Sequence, residues 1–248
     1  LDITGDLVLS ETGTLDAAIS SSSQEGSLAV ASGSLVLAGA NDYTVATIVA
    51  DGARLAANAA GLGKTSALTI NESGTYVNNG ANVAGMLAAA GTFTLNDAFT
   101  IAGSAGSTSS ISGTISGTGG LTVQGGTLNV ATNASSGYSG DVVLGTNAQA
   151  AVLELAASAD GGFGTGTIGF AHRDSRLSVA VNEDTMLANL VSGEGGIAVT
   201  GTNGENFAFR AGQNAQADAV FSGSLTLENV TYDFADDAND ILGGVHLT

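Results

Sequence analysis

The chain contains no cysteine, no proline and no tryptophan, and only five of its 248 residues are Lys or Arg. Without cysteine, disulfide frameworks and cysteine-ligated metal sites are excluded. The absence of cysteine is typical of reducing compartments. It also suits a surface protein that is exported unfolded through a pore, where a premature disulfide would block passage. The cysteine count therefore does not choose between these compartments.

Positive charge is scarce as well, because 23 Asp and Glu residues oppose the five Lys and Arg and give a net charge of −18. Such a surface excludes nonspecific binding to nucleic acid and docking on anionic lipid, which both need basic residues. The acidic residues are spread singly along the chain, so most are predicted to be solvated positions that keep an extended surface soluble. No run approaches the ~20 apolar residues of a membrane helix, and no signal-peptide pattern opens the chain.

Aromatic residues make up only 5% of the chain, whereas glycine contributes 37 residues and hydrophobic residues reach 44%. The hydrophobic share excludes a disordered acidic chain. The shortage of aromatic residues argues against a bulky globular core and favours a narrow core of Ala, Val, Leu and Ile. A β-rich solenoid accounts for these features together.

The stretch from Ser112 to Val130 shows the underlying unit. It holds two alternating runs, Leu121-Thr122-Val123 and Leu128-Asn129-Val130, separated by Gly-Gly. Alternation with a period of two is typical of half-buried strands, and paired glycines suit sharp corners. The apolar residues of both runs are therefore predicted to point inward. Each run is too short to bury anything without a stacked neighbour, which predicts a repeat architecture.

Copies of this unit recur along the chain. The segment 28–37 matches 121–130, and the segment 192–199 overlays 116–123. A Gly-Leu-Gly element at 61–63 and a Gly-Phe-Gly element at 162–164 each precede a strand-like run, and Tyr43 has a counterpart in Tyr138. With strands stacked at ~4.8 Å and roughly 20–25 residues per turn, the chain would form about eleven rungs and a rod near 50 Å long.

Several segments carry predictions of their own. The low-complexity residues 102–110 are expected to form a loop that protrudes from the stack. Asn78-Asn79-Gly80 is expected to be an exposed turn, the alternative being a stacked asparagine ladder within a corner. The Ala-rich run 54–60 is expected to be a strand and corner rather than a helical turn. Asp184-Thr185 resembles a capped helix start, although the repeat favours a strand there.

One cluster stands out for its charge. Ala171-His172-Arg173-Asp174-Ser175-Arg176 holds cationic side chains in a chain otherwise nearly free of them. We expect an exposed corner with a local Arg–Asp pair, or alternatively a contact patch for an acidic partner surface, including that of another copy. The candidate interaction residues are His172, Arg173, Asp174 and Arg176.

Catalytic and metal-binding motifs are not found in the sequence. The two histidines, His172 and His246, are far apart, and the glycines at 117–120 belong to a repeat rather than to a phosphate-binding loop. The segment 236–244 is reminiscent of a Ca²⁺-binding nonapeptide. Such sites are built between successive copies, and only one degraded copy is present. A solvated acidic loop is the prediction there and a weak Ca²⁺ site the alternative. We predict no enzyme activity and no cofactor.

The order of these elements resembles the passenger domains of autotransporters, the bacterial type V secretion proteins, with AIDA-type adhesins as the nearest likeness. The resemblance is carried by Gly119-Gly120-Leu121-Thr122-Val123, by the Tyr-containing turn at Tyr138-Ser139-Gly140, and by Val142-Val143-Leu144 before Gly-Phe-Gly. Residues 35–44 resemble the strand-Gly-Ala-Asn-x-Tyr-x-Gly element of that family, with Val45 in place of the final glycine. The resemblance implies a right-handed parallel β-helix with three faces per rung.

The same resemblance implies a function and a location. Residues 1–248 would form a single β-helical passenger segment of a longer protein, held at the bacterial cell surface by a barrel outside this chain, or secreted. Its partners would be host-cell or matrix ligands, or copies on neighbouring cells in aggregates and biofilms. Two alternatives from other classes are a β-helical enzyme acting on polysaccharide and a purely structural stalk.

Overall fold

The computed structural model describes residues 1–131, 134, 137–156, 163–211, 221–232 and 245–247. These residues form parallel β-strands and no helix, and the strands stack as a β-solenoid of about ten turns. Hydrogen-bonded partners lie between 17 and 28 positions apart along the chain, as in Thr75 with Thr92 and Ile197 with Leu225. The predicted all-β parallel β-helix is confirmed, with one turn fewer than the sequence estimate of about eleven.

Each complete turn crosses three faces. The first face stacks the strands Leu7–Leu9, Ser27–Val30, Ala46–Val49, Ala67–Ile70, Met86–Ala89, Thr108–Ile111, Gly126–Val130, Ala151–Leu155, Arg176–Ala180, Gly196–Ala211, Leu225–Thr231 and Val245–Leu247. The second face stacks Gly13–Leu15, Ser34–Leu37, Arg54–Ala57, Thr75–Asn78, Thr92–Leu95, Thr114–Gly117 and Gly137–Tyr138. The third face stacks Asn82–Ala84, Phe99–Ile101, Leu121–Val123, Val142–Leu144, Ile168–Phe170 and Thr185–Gly193. A separate pair, Asp2–Ile3 with Ser20–Ser21, lies at the beginning of the chain.

The stretch Ser112–Val130 is nearly one whole turn. Thr114–Gly117 lies on the second face, Leu121–Val123 on the third and Gly126–Val130 on the first. The prediction that its apolar residues face inward is confirmed, since all four are buried: Leu121, Val123, Leu128 and Val130. One rung therefore uses three period-2 strands joined by glycine corners.

The sequence copies, however, do not occupy equivalent faces. Leu28–Val30 lies on the first face, whereas Leu121–Val123, to which it was matched, lies on the third. Every face presents the same short alternating strand between glycines, so the pattern does not mark which face a strand joins. The two Gly-x-Gly elements, in contrast, make equivalent contacts. Gly63 (φ 58°) and Gly164 (φ 67°) each lie against the backbone of a tyrosine in the preceding turn, Tyr43 and Tyr138 respectively.

The core consists of continuous rows of side chains that run along the rod. One inward row of the first face contains Leu28, Thr47, Leu68, Leu87, Ser109, Leu128, Leu153, Leu177, Ile197 and Leu225. The next contains Val30, Val49, Ile70, Ala89, Ile111, Val130, Leu155, Val179, Val199 and Leu227. Fully burying a Leu, Val or Ile side chain contributes roughly 1.5–3 kcal/mol, so these rows are the main source of stability.

The two polar members of the first row are both hydrogen-bonded. Tyr43 Oη lies 2.9 Å from Thr47 Oγ1, which lies 3.0 Å from Thr65 Oγ1, and Thr65 donates to the carbonyl of Val45 at 2.8 Å. Burial of its ring raises the pKa of Tyr43, so this chain of hydroxyls stays neutral. Ser109 Oγ accepts the backbone N–H of Leu87 at 3.0 Å. Because each buried hydroxyl has a partner, these polar residues are compatible with the apolar row.

Ser109 also corrects a prediction. Residues 102–110 were expected to protrude as a loop, but Thr108–Ile111 is a strand of the first face and Ser109 is buried in the stack. Only the preceding residues form a turn. The low-complexity composition concealed the alternation because serine, rather than an aliphatic residue, occupies the inward position.

The predicted exposed turn at Asn78-Asn79-Gly80 is wrong for Asn78. Asn78 ends the strand Thr75–Asn78 and is buried, as is Asn82. Asn82 Nδ2 donates to Asn78 Oδ1 at 2.8 Å and to the carbonyl of Asn58 at 2.9 Å, while Asn82 Oδ1 accepts the N–H of Leu62 at 3.0 Å. Buried asparagines thus join neighbouring turns at this corner through hydrogen bonds to the backbone. They do not form the stacked ladder that the sequence offered as the alternative, because Asn78 is in register with Ala57 and Leu95.

Two further buried asparagines do the same elsewhere. Asn41 Oδ1 accepts the N–H of Ile19 at 2.7 Å, and Asn189 Oδ1 accepts the N–H of Phe163 at 2.8 Å. Their amide groups donate to carbonyls of Gly61 and Gly166. Each side chain therefore satisfies backbone groups that the strand ladders leave unpaired at a corner.

The remaining local predictions are resolved as follows. Arg54–Ala57 is a strand followed by a corner, as expected, and Thr185–Gly193 is a strand, so the helix-like start at Asp184 is overruled by the stack. The strand Gly196–Ala211 bends from the first face to the third with a register shift between Thr200 and Glu205. Three aromatic residues in this part of the chain are buried: Phe207, Phe209 and Phe221.

Candidate interaction surfaces

The predicted contact patch lies at the corner between the third and first faces. Arg173 and Asp174 are exposed, with 79% and 70% of their side-chain surfaces accessible, and Arg173 Nε lies 3.9 Å from Asp174 Oδ1. His172 is less exposed, and its Nδ1 accepts the backbone N–H of Asp174 at 3.1 Å. The expected corner with a local Arg–Asp pair is present. Exposed pairs of this kind contribute little, about 0–1 kcal/mol, so Arg173 keeps the freedom to contact a partner.

Arg176 belongs to a different surface. It begins the strand Arg176–Ala180 and points outward on the first face, where its neighbours in register are Val152 and Gly196. Within the described part of the chain, Arg176 has no ion-pair partner. The structure therefore divides the predicted patch between a corner, with His172, Arg173 and Asp174, and an open sheet face, with Arg176.

A short hairpin adjoins this corner. Thr146 and Gln149 pair as an antiparallel bridge, and Gln149 Nε2 reaches past an intervening turn to the carbonyl of Gly103 at 3.0 Å. Gly145, which precedes the hairpin, lies directly against His172 and Ser175. The residue that leads into the hairpin is therefore in contact with the corner that carries the patch.

The first face has a property that sequence reasoning missed. Its first seven strands, from Leu7–Leu9 to Gly126–Val130, contain no charged residue, in a chain of net charge −18. The outward positions there are mostly Ala, Ser and Thr, together with exposed Val8 and Met86 and half-buried Ile48. The period-2 alternation predicts which residues of each strand point outward. The absence of charge at these outward positions could therefore have been predicted from the sequence.

Negative charge is concentrated at the corners instead. Asp51 Oδ1 accepts the N–H and Oγ–H of Ser73 at 3.0 and 3.2 Å, and Asp141 Oδ1 accepts the N–H of Thr167 at 2.8 Å. These carboxylates are solvated as predicted, and they also connect successive turns. Acidic corners thus separate sheet faces that carry few charges.

Two carboxylates near the bend in Gly196–Ala211 are held more tightly. Glu205 accepts hydrogen bonds from the backbone of Asn203 at 3.0 Å and from Thr202 Oγ1 at 2.7 Å, which lowers the pKa of Glu205 to about 2. Asp184 accepts the backbone and side-chain N–H groups of Asn206 at 2.8 and 3.0 Å, which lowers its pKa as well. Both groups are ionised at neutral pH and stabilise the bend.

The described ranges contain no group of three or more His, Cys, Asp or Glu side chains placed to hold a metal ion. The acidic segment 236–244, considered as a solvated loop or weak Ca²⁺ site, lies outside the described residues. Among those that are described, no helix has the length and apolarity to span a membrane.

Comparisons with known proteins do not identify a family for this chain. No family model matches the chain, and comparisons with curated proteins and with solved structures give no significant match.

Proposed function

We propose that this chain is a β-helical surface region of a bacterial autotransporter adhesin, which attaches cells to host or matrix ligands or to one another. The observation that carries the proposal is the run of seven uncharged strands on the first face. A rod of about ten turns is roughly 48 Å long at ~4.8 Å per turn, and it presents this face as a rigid, flat surface.

Charge explains why such a face would serve attachment. A net charge of −18 keeps the rod soluble and repels most acidic surfaces, whereas the neutral strands impose no such repulsion. Contacts along a flat face are individually weak, and many copies on one cell surface add them through effective concentration. The exposed Arg173 supplies a second contact for acidic partners.

The neighbours of the arginines do not favour the polysaccharide-acting alternative. Such an enzyme needs Asp and Arg on adjacent rungs of one cleft. Arg176 lies between Val152 and Gly196 in register on an open sheet, with Glu154 two positions further along the neighbouring strand, and Arg54 lies between Ser34 and Thr75. This arrangement supports a contact surface over a cleavage site.

The test is to display the chain on bacteria that neither aggregate nor adhere. Attachment to matrix-coated or host-cell surfaces, or settling of the cells as aggregates, is the expected result. Cells that stay dispersed and unattached although the chain is displayed would contradict the adhesive function and favour the structural stalk. Release of oligosaccharides from acidic polysaccharide by the purified chain would favour the enzyme instead.

A further inference from the structure

Two copies of one reactive dipeptide lie in opposite environments in this chain. Asparagine followed by glycine occurs at Asn79-Gly80 and at Asn203-Gly204, and nowhere else in the sequence. This pair is especially prone to lose its side-chain amide, because glycine has no Cβ to hinder attack by its own backbone nitrogen on the preceding side chain. The surroundings of each dipeptide therefore decide whether it reacts.

The corner at Asn79-Gly80 is held on both sides. The N–H of Asn79 donates to the carbonyl of Ala57 at 2.8 Å, and Asn79 Oδ1 accepts the side-chain amide of Asn96 at 2.9 Å. Gly80 is buried, and its carbonyl accepts from Asn82 Nδ2 at 3.0 Å. Attack requires the two residues to rotate relative to each other, so these hydrogen bonds must break before the reaction can begin.

The dipeptide Asn203-Gly204 lies outside the strand ladder. It falls in the register shift described above, where positions 201–204 are not in register with any residue of the neighbouring strand Leu225–Thr231. Both residues are exposed, and a Cβ added at Gly204, whose φ is 84°, would have nothing within 4 Å. The carbonyl of Gly204 accepts from Thr231 Oγ1 at 3.2 Å, a contact that involves neither reacting atom. The space that the reaction needs is already open.

The side chain of Asn203 is held through its amide nitrogen. Asn203 Nδ2 donates to Thr202 Oγ1 at 3.0 Å, an exposed contact, and to Glu205 Oε1 at 3.3 Å, a half-buried one. Hydrogen bonds that water can replace cost little to break. Nδ2 is also the atom that leaves in the reaction, and neither bond involves Cγ, the carbon that is attacked.

We propose that Asn203 is a site of spontaneous deamidation, whereas the fold protects Asn79. The backbone nitrogen of Gly204 attacks Cγ of Asn203, its proton and the Nδ2 amino group leave together as ammonia, and a cyclic succinimide forms. Water then opens the ring at either carbonyl and gives aspartate or isoaspartate at position 203. The reaction consumes water alone, needs no enzyme, and adds one negative charge.

The new carboxylate weakens the bend. Glu205 accepts the backbone N–H groups of Thr202 and Asn203 at 2.9 and 3.0 Å, so its carboxylate closes this part of the strand. Asn203 Nδ2 adds a further donor to Glu205, whereas an aspartate carboxylate in its place donates nothing and carries the same charge as Glu205. Like charges at this distance repel each other. Deamidation therefore converts a closed bend into a looser one as the protein ages.

Peptide mapping by mass spectrometry, after incubation of the purified chain at mildly alkaline pH, tests the proposal. The same incubation in guanidinium chloride gives the intrinsic rate of each dipeptide. We expect Asn203 in the folded chain to react at a rate close to its intrinsic one. Asn79 is expected to react about tenfold or more slowly than its intrinsic rate, because several hydrogen bonds must open first. Equal protection of the two asparagines would overturn the assignment.

A variant of the protected corner tests whether its contacts are the cause. Asn82→Ala removes the donor to the carbonyl of Gly80 and is expected to raise the rate at Asn79 while leaving the rate at Asn203 unchanged. A rate at Asn79 that does not rise would overturn the argument that these contacts protect it.

A matched pair of variants tests the effect on the bend. Asn203→Asp and Asn79→Asp add the same charge at exposed positions. Asn203→Asp is expected to lower the melting temperature through repulsion of Glu205. Asn79→Asp keeps an acceptor for the amide of Asn96 and is expected to melt close to wild type. Equal melting temperatures of the two variants would contradict the loosening of the bend.

Discussion

Replacing Asn82 by alanine tests the role of the buried asparagines most sharply. The side chain is buried, accepts the N–H of Leu62 at 3.0 Å and donates to Asn58 and Asn78. Asn82→Ala leaves that N–H and the carbonyl of Gly80, which accepts from Asn82 Nδ2 at 3.0 Å, without this partner. Each such buried group costs about 1–3 kcal/mol. We expect a total loss of about 2–4 kcal/mol in the free energy of unfolding.

The effect should be concentrated near the substitution, because solenoid turns contact only their neighbours. Hydrogen exchange followed by mass spectrometry is the assay, with the amide of Leu62 expected to exchange about 30-fold to 1,000-fold faster. The control is Asn96→Ala, since Asn96 is exposed and its amide donates across a turn to Asn79 Oδ1 at 2.9 Å. Equal losses of stability in both variants, or an unchanged exchange rate at Leu62, would refute the argument that burial makes these hydrogen bonds strongly stabilising.

Three further predictions follow from the structure. Phe93→Ala removes a buried ring whose centroid lies 5.0 Å from that of Phe99, and urea unfolding should show a loss of about 3–5 kcal/mol; a loss below about 1 kcal/mol would contradict this packing. Glu205 has its pKa lowered from 4.5 to about 2, so its contribution to stability is complete above 4.5 and lost as the pH falls towards 2. Glu205→Gln should therefore reduce the dependence of the melting temperature on pH over that range. A pH dependence equal to that of wild type would contradict this role of Glu205. Arg173→Glu combined with Arg176→Glu should reduce aggregation of displaying cells; undiminished settling would eliminate both arginines as contacts.

The architecture was predictable because the same physical pattern is repeated many times. Short alternating strands such as Leu121–Val123 cannot bury their apolar side alone, so stacking was the consistent solution. Local sequence at Asp184-Thr185 favoured a helix, but Thr185–Gly193 pairs with strands on both sides and joins the third face. Hydrogen bonds to neighbouring turns outweighed the local preference.

The assignment of strands to faces was not predictable, since Leu28–Val30 and Leu121–Val123 are alike in sequence and lie on different faces. Polar residues inside the stack were missed for a related reason. Asn78 and Ser109 are typical turn residues, and the partners that make their burial favourable include groups of adjacent turns, the carbonyls of Asp97 and Ala98 for Asn78 and the N–H of Leu87 for Ser109.

The residues of the candidate site could be predicted from the sequence, but the surfaces to which they belong could not. Charge singled out Arg173 and Arg176, which lie only three positions apart in the sequence, yet the structure places one at a corner and the other on a sheet face. The neighbours of Arg176 on that face, Val152 and Gly196, come from the turns on either side. Neighbours of this kind appear only when the register between strands is known.

Attachment of cells that display a variant with charges on the first face tests most directly whether that face attaches cells. Met86→Asp/Ala88→Asp places two carboxylates at exposed outward positions of a strand that carries no charge. We expect cells displaying wild type to attach or settle, and cells displaying the variant to do so less, because the added carboxylates extend the repulsion of the acidic corners across the face. Attachment and settling equal to those of wild type would contradict the account.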